Sequence, residues 1–445
     1  MATTEAVPAQ ADVVIVGGGI VGCAAAYYLA KRGMRPVLFE KDEIGRAQSG
    51  RNWGFVRQQG RDPSELPLMI ESNRIWSGIE RELGADVEWV QGGNLALATT
   101  PDRIALFEGW SNAARAQGLD TKVLTRSDLS RLIPELQGEW LGGMYTGSDG
   151  HAEPRKATQA FADAAVARGA HIVSRCTVTS VETANGAVTG VRYARRIEPS
   201  GRVDTALIAT PCAIAASGAW TATLVRPLAL SLPVRWVRST VARTTPVRKI
   251  TPIGVWAPSV AFRQRRDGTL NLGGGGWADH DVTLDSLRHA RLFMPNYLKN
   301  RKLFQFHVGK PFVADAMARL PGSRRHRDPF GAQWALEPAP SRAKVKWMFD
   351  EFRRLFPTIG DVTIADTWAG YIDATPDAIP VIGPVDRPRG FVFATGFSGH
   401  GFGLGPIAGR LAAEIAAGAK PSLDIHAFRF SRFAEGAIGE PRAVL

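Results

Sequence analysis

Residues 13–40 read VVIVGGGIVGCAAAYYLAKRGMRPVLFE: an apolar strand, a glycine turn, a helix rich in small residues, a second strand and an acid. No other stretch restricts the fold as much. Gly17, Gly19 and Gly22 satisfy G-x-G-x-x-G directly after a strand and directly before a helix, the opening of a unit built to hold a dinucleotide. Gly17 permits the tight turn, Gly19 lets backbone approach a pyrophosphate, and Gly22 lets helix and strand pack closely. The positive end of the helix then faces the phosphates. Glu40 closes the second strand, where a carboxylate accepts hydrogen bonds from ribose hydroxyls.

The far end of the chain decides between NAD and FAD. Residues 391–417, FVFATGFSGHGFGLGPIAGRLAAEIAA, predict an apolar strand, a glycine-dense turn from Gly396 to Gly405 and a helix from about Pro406. A second turn of this kind aims backbone N–H groups and a positive helix end at another electron-rich part of the ligand. In a flavin that part is the pyrimidine edge of the ring, whereas NAD has no comparable need. FAD is the better reading.

Between these ends, residues 151–182 return to a helix followed by a strand, and 204–220 read as a strand entering a glycine turn. Cofactor-type elements at the start, middle and end imply a discontinuous cofactor domain, expected at 1–87, 151–227 and 367–445. A second domain is expected at 88–150 and 228–366. At 445 residues the chain is long enough for two. The N-terminus lacks the basic and apolar regions of a secretory signal, and no apolar run reaches the ~18–20 residues that span a bilayer. Cys23, Cys176 and Cys212 are odd in number and far apart, which predicts buried thiols in a reducing compartment and no metal cluster. The expected location is the cytoplasm.

Net charge is +12, and residues 285–360 carry 15 Lys and Arg against six Asp and Glu. A solvated basic surface is the first reading of this segment, expected as a basic helical insertion. A dock for an acidic partner or an anionic membrane comes second. Nucleic acid comes last and is not expected, because no helix-turn-helix, aromatic RNA motif or finger spacing accompanies the charge.

Six segments in order carry a family resemblance: VGGGIVG with Glu40, SGRNWG at 49–54, HAEPRKATQAF at 151–161, SGAW at 217–220, TPDAIPVIGP at 375–384 and ATGFSGHGFGLGP at 394–406. The chain resembles the D-amino-acid oxidase, glycine oxidase and sarcosine oxidase family of FAD-dependent amine oxidoreductases. The resemblance implies an α/β (α+β) two-domain fold, with a Rossmann-like FAD domain and a substrate domain whose antiparallel sheet roofs the flavin. It implies that Gly17, Gly19, Ile20 and Val21 meet the pyrophosphate, with Gly22 a further cofactor-binding candidate in the same turn and Glu40 and Lys41 at the adenosine. Ser49, Gly50, Arg51 and Asn52 would run along the pyrophosphate and ring, and Trp53 and Gly54 are further cofactor-binding candidates. Val178, Gly218 and Trp220 would form the middle cofactor segment, with a core strand and simple packing as the alternatives for Val178 and Trp220. Gly370, Gly396, Gly399, His400, Gly401 and Phe402 would surround the flavin. Three departures stand out. Gly370 replaces the cysteine of members with covalent flavin, so FAD is expected to be non-covalent. Asn271 stands where sarcosine-type oxidases place a lysine that aids reaction with oxygen, and Gly403 where they place a lysine for the substrate carboxylate.

The reaction implied is hydride transfer from an amine-bearing carbon to the flavin, then imine hydrolysis to an oxoacid and an amine. Such chemistry requires orientation more than a strong base. Arginine is the best clamp for a carboxylate. Arg57 matches the family arginine at that place, followed by Arg61, with Arg263, Arg265 and Arg51 as further candidates. Tyr371, Asp373 and His400 are the other candidates for catalytic work, or else packing and capping residues. Trp277, after Gly273–Gly276, is a candidate for the pocket roof, or the glycines form a bulge. The arginine supply points to an anionic amine, namely an amino acid or an N-substituted glycine such as sarcosine, iminodiacetate or an opine. Oxygen is the expected acceptor. The rival readings are a D-amino-acid dehydrogenase that passes electrons to a partner or quinone, and a flavin monooxygenase.

Overall fold

The computed structural model describes residues 7–197, 202–274, 277–323 and 337–442. Its first sheet has six strands, in the order Val381–Pro384, Phe391–Thr395, Ala213–Ala215, Val13–Val16, Pro36–Phe39, His171–Val173. All neighbours are parallel except the outermost pair, where Val381–Pro384 runs against Phe391–Thr395. Parallel strands covered on both faces need apolar residues at every position, and the first two strands are buried throughout. The strand carrying Gly17 lies at the centre, and the one leading into the C-terminal turn lies two places away.

The helix Ile20–Lys31 is buried from Ile20 to Ala30, because alanines and glycine let it sit close to its neighbours. A Cβ on Gly409 of the helix Gly401–Ala416 would stand 2.5 Å from the Cβ of Ala24. The two helices therefore meet almost backbone to backbone. The C-terminal helix begins at Gly401, ahead of the expected start near Pro406. Gly403 and Gly405 are helical residues kept small by their neighbours: a Cβ on Gly405 would lie 2.5 Å from Ile20 Cγ2.

A second, ten-stranded sheet contains Asn94–Ala98, Thr121–Thr125, Gly142–Thr146, Arg235–Thr244, Gly254–Trp256, Val260–Gln264, Leu270–Gly274, Ala278–Asp281, Phe304–His307 and Ile364–Ala374. The expectation of an antiparallel sheet needs one correction. Gly254–Trp256 runs parallel to Asn94–Ala98, and Ala278–Asp281 parallel to Phe304–His307, since these partners come from separate segments and not from hairpins. The expected boundary at 366/367 falls inside the strand Ile364–Ala374, which pairs with Arg235–Thr244 along its length.

The segment 285–360 is not one helical insertion. Phe304–His307 adds an edge strand to the sheet, and the helix Arg342–Leu355 places Met348, Phe352 and Leu355 in the same core as Phe262 and Leu272. Among the described residues, no helix is long and apolar enough to cross a membrane, no group of side chains is arranged to hold a metal, and all three cysteines are buried and unpaired.

Candidate active site

The carboxyl ends of the central strands, the loop at 45–61, the strand through Gly370 and the turn before the C-terminal helix enclose a cavity of about 370 Å³. A second cavity among the described residues, beside Trp236 and Asp315, measures about 20 Å³ and is too small for a dinucleotide.

One end is built by the glycine turn. Gly17 has φ +112°, and a Cβ there would meet Ala216 O at 2.5 Å. Gly18 N donates to Glu40 Oε2 (2.6 Å) and Asp42 N to Glu40 Oε1 (2.8 Å). Glu40 is thus held at the cavity edge, and burial raises its pKa. Ser49 Oγ accepts from Ile20 N (2.9 Å), which fixes the next loop against the helix start. Lys41 Nζ lies 3.4 Å from the Trp220 ring centroid, and burial brings its pKa down to about 8.

The other end is built by residues 396–402. Asp373 is buried and accepts from Gly396 N (2.7 Å) and Thr395 Oγ1 (3.3 Å), while Ser398 N donates to the Asp373 carbonyl (3.2 Å). Burial raises the carboxyl to about 6 against those hydrogen bonds. Asp373 therefore shapes the turn. His400 precedes the C-terminal helix, its Nδ1 2.9 Å from Oε2 of the fully buried Glu65. Burial, and Arg61 beside it, lower its pKa below that of an ordinary imidazole.

Between the ends lie the arginines. Arg57 is 5% exposed, its guanidinium 4.6 Å from the Trp256 ring centroid and bonded to the Gln59 carbonyl. Arg61 is 3% exposed. Its Nε donates to the Arg57 carbonyl (3.0 Å), and its buried Nη1 has no hydrogen-bond partner among the described residues. Burial lowers the pKa of both groups, and for Arg57 the charge of Arg61 adds to the effect. A Cβ on Gly403 would lie 3.6 Å from Arg61 Nη2, so the small residue leaves room that this arginine fills.

The residues predicted from sequence divide accordingly. Gly17, Gly19, Ile20, Val21, Glu40, Lys41, Ser49, Arg51, Asn52, Trp53, Arg57, Arg61, Val178, Gly218, Trp220, Gly370, Tyr371, Asp373, Gly399, His400, Gly401 and Phe402 all line the cavity. Gly22, Gly50, Gly54 and Gly396 stand behind it. A Cβ on Gly22 would meet Gly17 O at 2.0 Å and one on Gly50 would meet Gly45 O at 2.1 Å, so their smallness serves packing. Tyr371 packs on Trp236 (centroids 5.1 Å apart), and burial together with Asp281 raises its phenol pKa, which favours the neutral phenol.

Arg263, Arg265 and Trp277 are not brought to the cavity. Arg263 Nη2 and Arg265 Nε reach Glu153 Oε1 at 2.8 and 2.9 Å, so both arginines already neutralise an internal carboxylate. Trp277 packs on Trp347 (5.6 Å) and under Lys344. Asn271 is buried, with its Nδ2 3.4 Å from the Trp53 carbonyl. Of Gly273–Gly276, the last two lie outside the described residues.

Sequence reasoning missed Glu65, Gln48, Trp256 and Asp149. Asp149 accepts from Gln58 N (2.7 Å) and Gln59 N (3.1 Å) and pins the loop between the arginines. No local signal marks these residues, since each acts on a segment far away in the chain.

The lining fits FAD. Besides the cradle at Gly17, the buried donors Gln48 Nε2 and Trp220 Nε1 belong to lining residues and have no hydrogen-bond partner among the described residues, which suits them to ligand oxygens or nitrogens.

The FAD dependent oxidoreductase (DAO) family profile matches residues 12–415. Human mitochondrial sarcosine dehydrogenase is 26% identical over 98% of this chain, which spans 43% of that protein. The chain thus covers under half the length of such curated relatives. Glycine oxidase of Geobacillus kaustophilus is 24% identical over 95% of this chain and 97% of its own. Among solved structures, L-amino acid deaminase from Proteus myxofaciens in complex with anthranilate superposes with a TM-score of 0.88 at 25% identity, covering 97% of this chain and 96% of that one.

Proposed function

Because this chain belongs to the FAD dependent oxidoreductase family, we propose that it oxidises the carbon–nitrogen bond of a small amine bearing a carboxylate, an amino acid or an N-alkylated glycine. The observation that carries the reading is Arg61. A guanidinium 3% exposed, with an unpartnered Nη1 and with Arg57 adjacent, is arranged for an anion that enters the cavity. The names of two relatives, sarcosine dehydrogenase and glycine oxidase, support the same substrate class.

FAD, when bound, supplies a two-electron acceptor for the hydride that leaves the substrate carbon. Gly17, Gly19, Ile20, Glu40 and Lys41 would hold its adenosine diphosphate part, and Gly399, His400 and Gly401 its ring. Arg61 and Arg57 bind and orient the carboxylate through parallel charge-assisted bonds. Trp53, Phe55 and Trp256 form a continuous aromatic wall beside them, with Trp53 and Trp256 centroids 5.1 Å apart. That wall excludes water and favours the unprotonated amine, whose lone pair drives loss of the hydride. Asp373 works on the turn and Tyr371 stays protonated, so neither acts as a base.

Oxygen as acceptor and non-covalent FAD, with Gly370 in the lining, complete the proposal. A dehydrogenase is the second reading. Lys41, over Trp220, is the single lysine among the described lining residues, and Asn271 occupies the position that the resemblance gives to an oxygen-assisting lysine. Anaerobic titration of the yellow protein with carboxylated amines and their decarboxylated counterparts tests the substrate class. Bleaching by the first set alone is expected, and bleaching by uncharged amines alone overturns the reading. Peroxide release in air, against dye reduction without peroxide, separates the two acceptors.

A further inference from the structure

The described residues expose 13 large hydrophobic side chains, and nine of them lie between Leu287 and Leu320. Such crowding into one short segment is not the ordinary scatter of surface apolar groups. The helix Lys310–Arg319 shows how they are presented. Its inner face carries Ala314, buried, and Asp315, whose carboxylate accepts from Leu284 N (2.9 Å) and pairs with Arg226 and Arg319. Val313 and Met317, with Leu320 just beyond, recur at i, i+4 and i+7 and are 58, 41 and 56% exposed. The apolar stripe therefore faces away from the protein, the reverse of a helix that covers a core.

The helix Ala290–Asn300 repeats the pattern. Phe293 points inward beneath Arg235, whose guanidinium is 4.0 Å from its ring, while Met294 and Leu298 face out. Cations sit among these residues. Arg288, Arg291, Arg301 and Lys310 are exposed and make no ion pair with a described residue, and Lys299 makes one exposed pair with Glu440. The acids of residues 284–323, Asp285 and Asp315, are both taken up by Arg226 and Arg319.

We propose that residues 284–323 form a docking surface for an anionic lipid bilayer. Apolar stripes that enter the acyl boundary, flanked by unpaired cations that meet acidic headgroups, are the two elements of interfacial binding. A second copy on the same face would set cation against cation, which disfavours a self-dimer. The surface hangs on the edge strand Phe304–His307. Gln305 pairs with Asp279, Arg238 with both Asp279 and Tyr371, so three strand spacings, roughly 14 Å, separate the edge from the cavity wall.

Co-sedimentation of the FAD-loaded full chain with vesicles tests the proposal. Binding is expected to phosphatidylcholine vesicles containing about one quarter phosphatidylglycerol, to fall with added salt, and to be weak on phosphatidylcholine alone. The combined substitution Leu298→Ser, Val313→Ser and Met317→Ser should lower partitioning by at least about tenfold. Arg291→Ala and Arg301→Ala should each lower it about fivefold. Flavin content and the thermal midpoint should not change, because all five side chains are exposed. Failure to bind the acidic vesicles overturns the proposal. So does binding that the substitutions leave intact, or a vesicle-indifferent dimer that the serine substitutions dissociate.

Discussion

Replacement of Arg61 by methionine separates the binding role of this residue from any structural one. Among the described residues its guanidinium makes one hydrogen bond, from Nε, and keeps Nη1 buried without a partner. Two charge-assisted bonds to a carboxylate at about 1.5–3 kcal/mol each give about 3–6 kcal/mol. The expected loss in kcat/KM for a carboxylated amine is therefore about 10²- to 10⁴-fold. The same change deletes a buried donor whose unmade bond costs about 1–3 kcal/mol, so the thermal midpoint without substrate is expected to hold or rise. Activity should therefore fall without a matching loss of stability. The assay is anaerobic stopped-flow bleaching of the flavin, comparing a carboxylated amine with its decarboxylated analogue in both proteins. Arg61→Met should erase the preference for the carboxylate while the analogue reacts as before. A preference that survives within about threefold, or a fall in stability alongside unchanged kinetics, would refute the reasoning.

Lys41 yields a pH dependence. Burial holds its folded pKa near 8, below the ordinary 10.5, and FAD, an anion, favours the charged form. Affinity of the FAD-free protein for FAD should decline as pH rises through about 8, and Lys41→Met should flatten that profile in fluorescence titrations. Between about 8 and 10.5 the unfolded chain binds more protons than the folded one, so stability of the FAD-free protein should rise with pH across that window. Glu153→Gln would leave Arg263 and Arg265 without their shared carboxylate, at a cost of about 3–5 kcal/mol in denaturant unfolding, with no effect on substrate selectivity if the protein is assayed below its transition. Gly409→Val overpacks the contact with Ala24 and should cost about 1–3 kcal/mol while weakening FAD retention, read by flavin release on mild heating.

The cofactor end of the site was legible because its signals are local. Glycines at fixed offsets, an apolar strand before them and Glu40 after them are enough to specify the cradle, and the second glycine turn repeats the logic. Arginine was harder to read. Arg61 and Arg263 look alike in sequence, but one meets the cavity and the other meets Glu153, and nothing nearby says which anion an arginine will find. Trp277 failed as a roof residue for the same reason, since Trp347 and Lys344 claim it from a later helix. The start of the C-terminal helix was misplaced because glycine counts against a helix locally. At Gly403 and Gly405 the nearness of Met69, Arg61 and Ile20 decides instead. Glu65 and Asp149 left no trace in the chain because their partners, His400 and the backbone of Gln58 and Gln59, lie far off in sequence.

The crossing of Ala24 with Gly409 has a consequence for biosynthesis. About 370 residues of chain separate the helix from Ile20 and the helix that packs on this face of it, so the second leaves the ribosome long after the first. At ordinary elongation speed the nascent chain carries an uncovered greasy face for roughly 20–80 s. Folding in the cell should therefore depend on a holding chaperone during that interval, and slowing the ribosome should lower the yield of native protein.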